Sequence, residues 1–326
     1  MRKFYNAERQ WHLELIAKSF FGKDKGNGFF KGKQYPFVLR NGGNNLYEPI
    51  LEDAIQYFKE NNISWWGGTT PTGHVLSSQI ACLNHLFAIR RDPKAALALI
   101  NGICNKFKKV LPLNCDKDNG YIAFEAVSDN DHLNEDGPTR GSNCTSVDAL
   151  ILAVDNNDEN WLIPIEWKYT ESYNDYPSSD KSAGEKGKVR MNRYTDLIYN
   201  SKQLKSLPAY NGSVYYFEPF YQLMRQTLWA EQMLSNMESE CVKADHYMHI
   251  HVIPSTDVDL LNKTYRVSGK NMEETWRSML TDQSKYLIVD PAVLMKPIEN
   301  SYPDLYKYLS ERYWTSYKCS HTTNKV

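Results

Sequence analysis

Thr145–Val154 (TSVDALILAV) and Trp161–Thr170 (WLIPIEWKYT), separated by Asn156-Asn157-Asp158-Glu159-Asn160, decide how this chain folds. Each flanking segment is rich in branched and aromatic apolar residues, the composition of a strand buried on both faces. The intervening Asn/Asp cluster is turn chemistry, so the pair predicts an antiparallel hairpin. Three charges interrupt this apolar pattern: Asp148 in the first strand, Glu166 and Lys168 in the second. A charge inside a buried strand is costly unless it is paired, binds a metal or faces a cleft. Three on neighbouring strands point to a site.

Glu166 and Lys168 are two positions apart, so they share a strand face, roughly 7 Å apart along the backbone. Counting outward from a turn centred near Asn157-Asp158 puts position 148 about level with 167. Asp148 then reaches the end of the ladder that carries Glu166 and Lys168. Upstream, Tyr121–Val127 (YIAFEAV) alternates, with Ile122, Phe124 and Ala126 on one face and Glu125 on the other. Glu125 is a candidate third carboxylate; the bland reading is a solvent-facing strand residue. Two or three carboxylates with carbonyl and water oxygens suit Mg²⁺, with Mn²⁺ as a substitute. A lysine beside such an ion would orient or deprotonate water, the latter only with a depressed pKa.

Ser146-Val147-Asp148 followed by Ile165-Glu166-Trp167-Lys168 resembles the motif of the PD-(D/E)xK nuclease superfamily, the restriction-endonuclease-like fold. More narrowly, the chain resembles a branch of bacterial restriction endonucleases with a Ser-Ser-Gln helix and a downstream Lys-Tyr-(Ser/Thr)-Glu. Here these are Ser77-Ser78-Gln79, with Asn84, and Lys168-Tyr169-Thr170-Glu171. Tyr221-Gln222-Leu223-Met224-Arg225-Gln226 is similar to that branch's helix after the core. The match is strongest over about 76–173, weaker over 214–294 and absent over 1–75.

The resemblance implies an α/β fold, a central mixed sheet flanked by helices, and Mg²⁺-dependent hydrolysis of DNA. By position, Asp148 and Glu166 would hold the metal, Lys168 would be the catalytic lysine and Glu125 a further ligand. The carbonyl of Trp167, between the two site-facing side chains, is an extra ligand. Gln79, Ser78, Glu171, Arg225 and Gln226 would line the site. Val147 replaces the motif's Pro. Gln79 stands where many relatives have Glu, which weakens the case for a second metal. DNA is the expected partner, and a homodimer is left open. Two alternatives remain: a catalytically silent nuclease-fold module that binds DNA or assists assembly, and a purely structural salt-bridged sheet edge.

Outward from the hairpin, Leu76, Ile80, Leu83 and Phe87 recur at helical spacing within residues 76–91, with Ser77 or Ser78 as N-cap and Asp92-Pro93 as the stop. Further helices are expected over 50–61, 94–110, 191–206 and 220–236, and strands over 213–218, 246–253 and 285–289. The Ser/Gly/Lys-rich stretch 174–190 reads as a mobile basic loop. Lys186, Lys188, Arg190 and Arg193 are candidate DNA-phosphate contacts there and just beyond. His249 and His251 share a strand face but have no third ligand nearby, so packing is the favoured reading. Trp65 and Trp66 read as packing residues. Residues 1–75, irregular in pattern, are expected as an extension packed on a nuclease domain spanning 76–326.

The 326 residues are 41% hydrophobic and 24% charged, which excludes wholesale disorder. A net charge of -1 excludes a polybasic nucleic-acid binder but not a local basic cleft. The six cysteines form no CxxC knuckle and read as reduced; the N terminus has no apolar signal region, and no apolar run can span a bilayer. A cytoplasmic protein without membrane association is expected, so the glycosylation patterns at Asn143, Asn211 and Asn262 carry no weight. No GxxxxGK(S/T), GxSxG or HExxH motif is present.

Overall fold

The computed structural model describes residues 2–137, 140, 144–206 and 214–315. In chain order it contains α1 (Lys3–Ala17), the hairpin β1 (Gly28–Phe30) and β2 (Lys33–Tyr35), α2 (Leu51–Glu60), α3 (Ser78–Leu86), α4 (Pro93–Ile103), β3 (Phe107–Leu111), β4 (Ala123–Ala126), β5 (Val147–Asp155), β6 (Asn160–Trp167), α5 (Gly184–Asn200), α6 (Phe220–Ser235), β7 (His246–Tyr247), β8 (His249–Val252) and β9 (Tyr286–Val289), with short helices after β8 and β9. The patterns at Asn143 and Asn211 and the cysteine at 319 lie outside the described residues.

The apolar hairpin forms as its composition dictates, and β5 and β6 become the centre of a seven-stranded mixed sheet. The order is β3-β5-β6-β8-β9, with β4 also on β5 and β7 also on β6. β3, β4 and β6 run antiparallel to β5, while β7 and β8 are parallel to β6 and β9 is parallel to β8. Strand alternation divides the core in two. Ala149, Ile151, Ile163 and Ile165 pack with Ile80, Leu83 and Leu99 on one face. Leu150, Leu152 and Leu162 pack with Leu223, Met224 and Leu228 of α6 on the other. This is the mixed sheet flanked by helices that the resemblance implies.

The register differs from the count by one. Ala149 pairs with Ile165 and Val154 with Asn160, so Asp148 lies level with Glu166, not with Trp167. The cause is the turn: Asp155 Oδ1 accepts from the N–H groups of Asn157 (2.8 Å) and Glu159 (3.1 Å), which centres it on Asn157.

Several other expectations are corrected. The helix after Asp92 ends at Ile103, where Cys104 turns extended, and Phe107–Leu111 is a strand. The basic stretch is not all loop, because α5 already begins at Gly184 and ends at Asn200. Val214–Tyr216 is a 3-10 turn instead of a strand. The N-terminal segment contains α1, whose Leu15 and Ile16 share one apolar cluster with Tyr57, Trp65 and Ile80. Among the described residues, no helix is long and apolar enough to cross a membrane.

Candidate active site

β5, β6 and β4 bring three carboxylates to the α6 side of the sheet. The pairs Phe124–Ala149 and Ala126–Val147 bracket the position where Glu125 faces Asp148. The pair Ala149–Ile165 places Glu166 on Asp148's other flank. Glu125 has φ +47°, a left-handed conformation that costs a non-glycine residue about 1–2 kcal/mol. Arg140 grips this kink: its Nε donates to the Glu125 carbonyl (3.1 Å) and its Nη2 to the Phe124 carbonyl (2.5 Å). Gln79, from the first turn of α3, donates to Glu125 Oε1 at 2.7 Å, and Ser146 Oγ donates to Oε2 at 3.0 Å. The solvent-facing reading of Glu125 is therefore wrong: the side chain is buried and held from two sides.

Glu166 and Lys168 form a buried ion pair. Lys168 Nζ also donates to Gln222 Oε1 at 2.6 Å. Gln226, one helical turn further along α6, donates to the second Glu166 oxygen and to the Ser146 carbonyl (3.3 Å). Asp148 Oδ2 accepts from the Trp167 N–H at 2.7 Å, and among the described residues Oδ1 accepts no hydrogen bond. Burial raises the Asp148 carboxyl well above its ordinary range, and the neighbouring Glu166 and Glu125 push it further. Burial likewise raises Glu125, against the donors on its oxygens. For Lys168 burial acts downward, but Glu166 and the charges around it hold the ammonium well above its usual value. Its carboxylate partners thus favour the ammonium over the free amine.

The family model described as Restriction Endonuclease associating with ARP matches residues 9–314. The chain belongs to that family. The match spans both the N-terminal segment and the sheet. No curated protein matches the chain, and no solved structure does.

Within this REase-ARP chain, the residues placed together are Asp148, Glu166, Lys168, Glu125, Gln79 and Gln226. Glu171 stands near Lys168 electrostatically, while its Oε2 accepts from the Tyr169 N–H at 2.7 Å. Ser78 is half-buried in the first turn of α3, and among the described residues no side-chain hydrogen bond joins it to the carboxylates. Arg225 turns away, its guanidinium 3.5 Å from Glu135 and stacked over Tyr221. The four basic candidates lie on α5. Lys186 is exposed, Lys188 pairs with Glu185, Arg190 donates to the Lys181 carbonyl (2.9 Å) and Arg193 pairs with Asp136.

Sequence reading missed Gln222, Arg140 and His251 as neighbours of the cluster. Gln222 and Gln226 are four apart on a helix and so share a face, which was a readable signal. Arg140 sits in a polar loop that gave none. His251 pairs in register with Glu166 on parallel β8. Its Nδ1 lies 2.8 Å from Tyr286 Oη, and burial keeps the ring neutral by pushing its pKa well below the ordinary value.

Hard carboxylate oxygens that raise one another's pKa are what a divalent cation would relieve. Among the described residues, however, no group of three or more His, Cys, Asp or Glu side chains is disposed to hold a metal. Asp148 and Glu166, adjacent across β5 and β6, remain as a pair of carboxylates. Mg²⁺ is commonly held by one or two carboxylates, with waters and substrate phosphate completing its shell.

Proposed function

We propose that this chain is a Mg²⁺-dependent endonuclease of the PD-(D/E)xK type that hydrolyses DNA phosphodiester bonds. The observation that carries this reading is the grouping of Asp148, Glu166 and Glu125 on adjacent strands, with Lys168 paired to Glu166, in a restriction-endonuclease family member. Asp148 and Glu166 would hold the ion together with the Trp167 carbonyl, and Glu125 would act beside them. When bound, Mg²⁺ supplies Lewis-acid polarisation of a phosphoryl oxygen and lowers the pKa of an attacking water. Lys168, favoured as an ammonium by Glu166 beside it, stabilises the negative charge that builds on the phosphate oxygens. Gln222 and Gln226 hold Lys168 and Glu166 in position, and Gln79 does the same for Glu125. Lys186, Lys188, Arg190 and Arg193 serve as phosphate contacts along α5.

One observation favours the alternative of a silent DNA-binding module: both oxygens of Glu166 and of Glu125 already accept hydrogen bonds from the chain itself. Incubation of supercoiled plasmid with the purified protein and Mg²⁺ or Mn²⁺ separates the two. Nicked or linear product is expected with the wild type and none with Lys168→Ala. Equal cleavage by Lys168→Ala contradicts the proposed chemistry, and DNA binding without cleavage by the wild type favours the silent module.

A further inference from the structure

The N-terminal segment carries a second feature with nucleic-acid chemistry. A cleft of about 580 Å³ opens between the β1–β2 hairpin and the loop from Trp66 to Gly73. Two large apolar side chains face solvent at this one place: Phe29 is 72% exposed and Trp66 41%. Exposed aromatics grouped in a concave site cost hydration without contributing to the core, which marks a binding surface. The Phe30 ring lies 4.6 Å from that of Trp66, centroid to centroid, and the Lys31 ammonium stands 5.3 Å from the first and 5.8 Å from the second. Lys31 and Arg40 line the cleft, and among the described residues no carboxylate does. In a chain of net charge -1, this lining is locally positive.

The cleft is preformed. Val38 and His74 make an antiparallel bridge across its base, and the Leu39 N–H donates to the Gly73 carbonyl at 2.8 Å. A Cβ at Gly73 would stand 2.1 Å from the Leu39 oxygen, so only glycine allows the two walls to approach this closely.

The cleft is also wired to the carboxylates. The Trp66 N–H donates to Gln79 Oε1 at 2.8 Å, and Gln79 Nε2 donates to Glu125 Oε1 at 2.7 Å. One glutamine therefore spans from the exposed tryptophan to the acid cluster.

We propose that this cleft is a base-stacking subsite for an unpaired nucleotide of the DNA strand presented to the acid cluster. Trp66 takes the base face, Phe29 on the other face of the hairpin takes that of a neighbouring nucleotide, and Lys31 and Arg40 take the flanking phosphates. Every base has a π-face, but in a duplex those faces are covered, so stacking selects a single-stranded or extruded nucleotide. The absence of any lining carboxylate fits a polyanion and disfavours a basic peptide. This inference rests on DNA being the substrate, and its test is kept free of cleavage.

The test is fluorescence anisotropy of a labelled single-stranded oligothymidylate, a duplex of the same length and an oligouridylate, titrated with the full chain in EDTA. The oligothymidylate is expected to bind more tightly than the duplex. Phe29→Ala and Trp66→Ala should each weaken it about ten-fold, the usual range for a lost base stack, while Trp66→Phe retains most of the affinity. Lys31→Ala should lower the log–log salt slope by about one. Phe29 is too exposed for its loss to unfold the chain, and thermal midpoints check the rest.

Wild-type affinity in both alanine variants overturns the subsite, as does tighter binding of the duplex or binding of RNA alone. Plasmid cleavage that persists alongside such a result leaves the acid-cluster chemistry standing. The expected binding pattern without cleavage leaves the subsite standing and removes the hydrolytic reading.

Discussion

Replacing Lys168 with methionine removes the positive charge from a pocket of carboxylates while keeping much of the side chain's volume. Both partners of the Lys168–Glu166 pair are almost completely buried, with side-chain exposures of 6% and 2%. Breaking a buried pair from one side leaves an uncompensated charge and costs about 3–5 kcal/mol. For a chain of this length each kcal/mol corresponds to about 2 °C, so the unfolding midpoint should fall by about 6–10 °C. The deficit should depend on pH. Asp148 and Glu125 are already raised by burial, and losing the ammonium that lowers Asp148 raises that carboxyl further. A carboxyl whose folded pKa exceeds its unfolded value contributes stability below the unfolded pKa and loses it as pH rises through the folded one. Lys168→Met should therefore be nearest to wild type in mild acid and furthest from it above neutrality. Glu166→Gln in the same chain should restore part of the loss. Thermal unfolding by circular dichroism, in EDTA across this pH range, reads all three effects. An unchanged midpoint, or a deficit that grows on acidification, would refute the electrostatic reasoning.

Gln226→Leu removes the donor to Glu166 and to the Ser146 carbonyl from a fully buried position, and should cost about 1–3 kcal/mol, seen as a lower midpoint in differential scanning fluorimetry. Wild-type stability would show that Glu166 does not depend on it. Asp257, which caps the helix from Val258 through the Leu260 N–H, is pushed up to about 8, mainly by burial. By the same sign, it contributes stability in acid that is lost between about pH 4 and about pH 8. Asp257→Asn keeps a good N-cap, so its stability–pH profile should be flatter over that window and lie above wild type at higher pH. Parallel profiles would contradict the assignment.

What was legible in the sequence follows from where local pattern and tertiary burial agree. The β5–β6 hairpin shows as two apolar runs around a polar turn, and its three charges are conspicuous because no other charged residue stands in those runs. The one-residue error in register came from the Asp155 side chain, whose hydrogen bonds shape the turn and leave no trace in hydrophobicity. α1 was invisible for a related reason. Its buried residues are Phe4, Glu8, His12, Leu15 and Ile16, so two of five are polar. They are tolerated because Glu8 accepts from Tyr169 Oη at 2.5 Å, and His12 packs neutral, pushed down to about 3 by burial. Tyr169 follows Lys168, so the N-terminal segment touches the strand end that carries the site. The start of α5 was hidden by its Gly and Lys content. Gly187 packs so closely on Ser182 that an added Cβ would lie 2.0 Å from its carbonyl oxygen. Arg225 and Gln226 were adjacent candidates, and only three-dimensional placement separates the one facing Glu166 from the one facing Glu135.

In the proposed chemistry Asp148 and Glu166 seat a hard divalent ion beside Lys168. Anomalous diffraction from crystals soaked in Mn²⁺ tests it most directly. A single strong peak is expected about 2 Å from an oxygen of each carboxylate and near the Trp167 carbonyl, lost in Asp148→Asn. A peak that persists in Asp148→Asn, or Mn²⁺ bound only elsewhere on the chain, would contradict it.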